Sequence, residues 1–177
     1  DGDHWNGTWQ DGDTDGVLNV SPSSERIYVN TTGSNNEWDL RVQWRDWDFS
    51  NEDYDVTLRN TTTDAMLASS NDTQAGGSAP LERIVASPPD GSYSAYLQVV
   101  DNGSNRTADF DVFSAGDGTL DPFTNTRSVI PPATARRGEA IAAADWATTT
   151  MRFDSSEGPT VDGRRKPDLT GPNAVST

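Results

Sequence analysis

The chain has 177 residues, 32% of them apolar, and 28 acids against 13 bases give a formal charge of -15. That length allows one domain with a real core, or a small domain plus part of another, and the charge sets a repulsive field before a nucleic-acid duplex or an anionic membrane. Cys is absent, which excludes disulfides, thiolate zinc sites and cysteine nucleophiles, and no apolar run approaches a transmembrane span or a signal peptide.

Residues 1–25 form a polar leading segment, interrupted between Asp1 and Asn19 by Trp5, Trp9, Val17 and Leu18. Within it Asp11-Gly12-Asp13-Thr14-Asp15-Gly16 reads as the opening half of an EF-hand-type calcium loop. Carboxylates at loop positions 1, 3 and 5 converge because Gly at position 6 permits the tight turn. The Val17 carbonyl and Asn19, at positions 7 and 9 of that pattern, complete the candidate ligands. Position 12, a bidentate Glu in a full motif, is Pro22. Glu25 is near in sequence but wrongly spaced, and a solvated acidic turn is the alternative to a calcium site.

After Ser21-Pro22-Ser23-Ser24, Arg26 to Asn30 is a short strand candidate. The organising stretch runs from Trp38 to Arg59. Trp38, Leu40, Val42 and Trp44 alternate with Asp39, Arg41, Gln43 and Arg45, and Tyr54, Val56 and Leu58 alternate with Asp53, Asp55, Thr57 and Arg59. Period two is the signature of half-buried strands. Met66 to Ala68 is a possible strand, and Leu81 to Ala86 alternates so weakly that its inward face is undecided. Pro88-Pro89-Asp90-Gly91 is a turn that launches Tyr93, Ala95, Leu97 and Val99, and Ala108, Phe110 and Val112 form a last alternating set. Two strands alone do not offset the backbone entropy of ordering, so a second sheet is expected. Residues 26–114 are accordingly read as a mainly β domain of the β-sandwich or jelly-roll type.

The character changes after Ser114. Residues 115–177 read as a linker followed by loop-rich sequence. Ala133 to Ala144 suits a helix by propensity, or a turn through Arg136-Arg137-Gly138 followed by the small-residue strand Ala140 to Ala144. From Asp154 onward loop signals dominate, with Pro159, Pro167 and Pro172 each lacking a backbone donor.

Ser155-Ser156-Glu157-Gly158-Pro159-Thr160, Asp162-Gly163-Arg164 and Lys166-Pro167-Asp168 resemble the block that precedes the catalytic serine in subtilisin-like serine peptidases. In that family the block reads Phe-Ser-Ser, a variable residue, Gly-Pro-Thr, Asp-Gly-Arg and Lys-Pro-Asp before Ala-Pro-Gly. Phe153 stands one place early, with Asp154 in its slot, and the last turn is Gly171-Pro172-Asn173. Gly138 to Ala144 resembles, with large departures, the family strand Asn-Val-Ile-Thr-Val-Gly-Ala. His4-Trp5, Gly7, Trp9 and the Asp11 to Gly16 run are similar to the segment after the oxyanion asparagine, where some extracellular and archaeal subtilases carry an inserted β-domain; the stretch from Ile27 to Phe113 is similar to such inserts.

The resemblance implies that residues 115–177 belong to an α/β subtilisin-like core whose acid, histidine and oxyanion asparagine precede Asp1 and whose nucleophile follows Thr177. No residue here then inherits a catalytic role. The implied partners are the remainder of the peptidase catalytic core and a polypeptide substrate, and the implied location is extracellular. The reading kept beside it is a free-standing extracellular β-sandwich module that binds carbohydrate or protein.

Several weaker constellations accompany these. Lys166 is the single lysine among the bases and Asp makes up 22 of the acids, a balance resembling proteins of salt-loving microbes, because molar salt screens compact surface carboxylates. A triad built within the chain would need His4, the one histidine, close to a polar terminus. Asp46, Asp48, Asp53 and Asp55 offer undistinguished carboxylate pairs, with Asp53 or Asp55 a candidate for a second calcium site. Trp44, Trp47, Phe49 and Tyr54 suit either a stacking surface or a core. Asn-X-Ser/Thr acceptors occur at Asn6, Asn19, Asn30, Asn60, Asn71, Asn102 and Asn105, mostly in turn sequence.

Overall fold

The computed structural model describes residues 3–46, 51–74, 76–103, 107–130, 133–160 and 163–173. The chain divides into two compact units, Gly2–Phe123 and Thr124–Thr177. Among the described residues every regular element is a strand.

The first unit holds β1 (His4–Thr8), β2 (Ile27–Thr31), β3 (Trp38–Trp44), β4 (Tyr54–Asn60), β5 (Met66–Ser70), β6 (Leu81–Ala86), β7 (Tyr93–Asp101), β8 (Asp109–Gly116) and β9 (Thr119–Asp121). They form two antiparallel sheets, one ordered β1-β8-β3-β6 and the other β5-β4-β7-β2-β9. Within this unit only β4 and β5 are successive strands joined as neighbours; at every other step the chain changes sheet.

Period-two alternation sets the inward faces. Trp38, Leu40, Val42 and Trp44 of β3 are buried, as are Tyr54, Val56 and Leu58 of β4, Ile27 and Val29 of β2, and Ala95, Leu97 and Val99 of β7. Register places Val42 opposite Val112 and Trp44 opposite Phe110 in one sheet, and Val56 opposite Val99 in the other. Side chains from both sheets join a single hydrophobic cluster with Trp9 and Leu18. Its aromatic centre is Tyr54, edge-on to Phe110 at 4.9 Å and to Trp44 at 5.3 Å, with Trp9 at 5.1 Å. Trp44 and Tyr54 are therefore core residues and not a stacking platform; Trp47 and Phe49 lie outside the described residues.

In β6 it is Glu82 and Ile84 that turn inward, leaving Leu81 and Val85 exposed. The buried Glu82 carboxylate accepts hydrogen bonds from Ser70 Oγ and from Gln74 Nε2, the latter at 2.5 Å, and burial pushes its pKa up. Asp111 of β8 is also buried, its Oδ1 3.1 Å from His4 Nε2. Hydrogen-bond partners from other segments of the chain thus allow acids at positions that composition alone assigns to solvent.

The second unit contains β10 (Ile141–Asp145) and β11 (Leu169–Asn173), paired in parallel. The stretch from Ala133 resolves as turns followed by a strand, because Ala142 and Ala144 alternate as buried positions. An α/β arrangement is not formed among the described residues of this unit.

Candidate metal loop and braced second unit

The acidic loop is closed at its base, where Asn19 N donates to Gln10 O (2.7 Å), and is fixed to β7 through Leu18 N to Val99 O (2.9 Å) and Asp101 N to Gly16 O (2.8 Å). Leu18 is buried in the core and serves as the anchor. Inside the loop the Asp11 carboxylate accepts from Asp15 N and Gly16 N, each at 3.1 Å, and Val17 N donates to Asp15 Oδ1 at 2.9 Å. Gly16 has φ +86°, a conformation that a Cβ disfavours, so the glycine that sequence spacing singles out is the one the turn needs.

The consequence is a trio. Carboxylate oxygens of Asp11, Asp13 and Asp15 lie within 4.8 Å of one another, close enough to hold a metal ion, and among the described residues no other such trio occurs. Asn19 is beside them, but its Oδ1 accepts from Gly12 N at 2.6 Å. Val17 bridges to Val100.

Glu25 is the residue that loop spacing leaves out. The Ser21–Ser24 turn is closed by Ser21 N to Ser24 O at 3.0 Å and Ser24 N to Ser21 O at 3.2 Å, which reverses the chain and returns Glu25 toward the loop. Its carboxyl is pushed above the usual value, first by burial and then by the charges of Asp15, Asp13 and Asp11. Asp13, Asn19, Pro22, Glu25, Arg26 and Tyr28 line an open cavity of about 630 Å³ at this place. The sequence signal was the Ser21-Pro22-Ser23-Ser24 turn, which a linear count of loop positions cannot use.

The other acids have structural work. Asp53 accepts from Gln74 N at 3.1 Å and from Asn102 Nδ2 at 3.0 Å, and Asp46 Oδ2 accepts from Asn51 N (2.5 Å) and Glu52 N (3.2 Å). Burial and then the Asp53 charge raise the Asp55 pKa. Asp48 lies outside the described residues. His4 is buried beside Asp111 and packs on Phe113 at 4.6 Å, so it fills the sheet.

In the second unit the polar residues of the Ser155 to Asp168 block bind backbone. Ser155 Oγ accepts from Ala143 N (3.0 Å), Arg164 Nη2 donates to Thr134 O (2.7 Å), and Lys166 Nζ donates to Gly138 O (2.5 Å) and to Asp168 Oδ2 (2.5 Å). Asp168 Oδ2 also accepts from Ala140 N at 2.8 Å; the Lys166 bond and then the Ala140 N–H hold the Asp168 carboxyl below its usual value. Gly158 is obligatory, since a Cβ there would run into the Lys166 carbonyl.

No family model matches the chain, and no curated protein matches it. Among the described residues no helix is long and apolar enough to cross a membrane.

Proposed function

We propose that the chain is a non-catalytic portion of a secreted, subtilisin-like serine endopeptidase from a salt-rich habitat, with a β-sandwich insert that stabilises the catalytic core or restricts polypeptide access to it. The observation that carries this reading is the use of Ser155, Arg164, Lys166 and Asp168. Each resembling side chain spends its polar atoms on the backbone around β10 and β11, as a structural block ahead of a nucleophile would. A parallel pair is favoured where both faces are covered, and Ile141, Trp146, Met151, Phe153 and Leu169 are exposed. Those side chains are the surface offered to the remainder of the peptidase core. The sandwich reading is supported by the single cluster to which both antiparallel sheets contribute.

The metal of the Asp11, Asp13 and Asp15 loop is proposed as calcium, a hard cation suited to carboxylate and carbonyl oxygens. Its role is to clamp the leading segment to the end of β7. The test of the peptidase reading is to express the full product of the encoding gene and assay protein hydrolysis with and without a serine-directed inhibitor. Inhibitor-sensitive hydrolysis by the full product, absent from residues 1–177 alone, is the expected result; a full product without it refutes the assignment.

A second reading, an extracellular module that binds carbohydrate or protein, is favoured by the cavity at Tyr28, Arg26 and Glu25. Saturable binding of an oligosaccharide to residues 1–177, lost in Tyr28→Ala, would select it.

A further inference from the structure

We propose that Asn71 is an N-glycosylation site, an acceptor among the Asn-X-Ser/Thr sequences whose carboxamide makes no hydrogen bond among the described residues. The segment after β5 is tied down by Glu82 and Asp53. Ser70 Oγ and Gln74 Nε2 both donate to Glu82, the Asp72 backbone N–H bonds to the same carboxylate, and Gln74 N donates to Asp53 Oδ1 at 3.1 Å. Gln74 is buried, whereas Asn71, Asp72 and Thr73 are exposed. Asn71 and Thr73 are thus exposed between residues whose groups are anchored on Glu82. Neither side chain is held by a hydrogen bond within the described structure.

Four of the other described acceptors use their carboxamides in hydrogen bonds of the fold. Asn60 Nδ2, the atom a glycan would occupy, donates to Tyr93 Oη at 2.9 Å, while its Oδ1 accepts from Thr62 N and Thr63 N. Asn102 Nδ2 donates to Asp53. Asn19 Oδ1 closes the acidic loop, and Asn30 Oδ1 accepts from Ser94 Oγ at 2.7 Å in an interior strand of its sheet. Asn6 lies half-buried within β1; Asn105 is outside the described residues. A glycan on Asn60 or Asn102 forfeits a native hydrogen bond, and one on Asn71 forfeits none.

The chemistry needs an export pathway that supplies a lipid-pyrophosphate-linked oligosaccharide. Asn71 Nδ2 forms a bond to the sugar C1, the C1–O bond to phosphate breaks, and the lipid pyrophosphate leaves with that electron pair and takes up the amide proton. The inference requires export of the chain and is independent of the peptidase reading.

To test it, residues 1–177 are exported from a eukaryotic secretory host behind a cleavable leader, and glycopeptides are mapped by mass spectrometry before and after enzymatic deglycosylation. The expected result is a glycan on the Asn71 peptide, lost in both Asn71→Gln and Thr73→Ala, retained in Thr73→Ser and unchanged in Asn60→Gln. Thr73→Ala and Thr73→Ser are both conservative at an exposed loop position, so their contrast separates acceptor chemistry from misfolding. Secreted chain with Asn71 bare, whether other acceptors are occupied or none is, overturns the proposal.

Discussion

Neutralising one member of the acidic trio should change stability in opposite directions with and without metal. With carboxylate oxygens within 4.8 Å, each pair of unit charges repels by about 0.9 kcal/mol in bulk-water dielectric. Asp13→Asn removes two of the three pairs while leaving the hydrogen bonds of Asp11 and Asp15 in place. In dilute buffer with chelator the variant should therefore be more stable than the wild type by about 1 to 2 kcal/mol. A Debye length of about 3 Å at 1 M salt shrinks that gain to a few tenths. Calcium at about a hundred times its dissociation constant should stabilise the wild type by about 2.7 kcal/mol and the variant far less. Urea midpoints followed by tryptophan fluorescence read all these conditions, because Leu18 couples the loop to the core that holds Trp9 and Trp44. A variant that is destabilised without metal, or that keeps the full calcium increment, refutes the reasoning.

Asp39, hydrogen-bonded first by Arg83 and then by Arg41, has its pKa lowered to about 2. Its folded value lies below the unfolded one, so the pair stabilises above the unfolded carboxylate pKa of about 3.9 and loses that contribution as pH falls through about 2. The arginines are half-exposed, which limits the gain to under about 1 kcal/mol; in Arg83→Met, the NMR titration midpoint of the Asp39 carboxyl carbon should rise. Trp44→Ala, which empties a fully buried site against Tyr54 and Phe110, should cost about 3 to 5 kcal/mol by urea denaturation. Asp168→Ala strips the Ala140 N–H and Lys166 Nζ of their shared acceptor, so amide exchange at Ala140 should accelerate while exchange in β3 and β7 stays unchanged.

Some of this was open to reading in one dimension. The burial of β3, β4 and β7 follows from a two-residue period carried by large side chains such as Trp38, Trp44, Tyr54 and Leu97, where a register slip would turn every one of them to water. The acidic trio was also legible, since Asp11, Asp13 and Asp15 are brought together by a local turn closed at Gly16. By contrast β1 and β9 carry one large apolar residue each, Trp5 and Leu120, too few for a period to appear. β6 was undecided because its inward partner is Glu82, whose donors come from Ser70 and Gln74 on another segment.

The sequence by itself determined the strand class, the inward faces of the long strands and the acidic turn, because each depends on neighbours within a few residues along the chain. Only the tertiary structure decided the strand orders β1-β8-β3-β6 and β5-β4-β7-β2-β9, the burial of Glu82 and Asp111, and the return of Glu25 toward the acidic loop. Those depend on contacts between residues far apart in sequence, where a polar group is accepted inside once a distant donor satisfies it. No local pattern of residues carries that information.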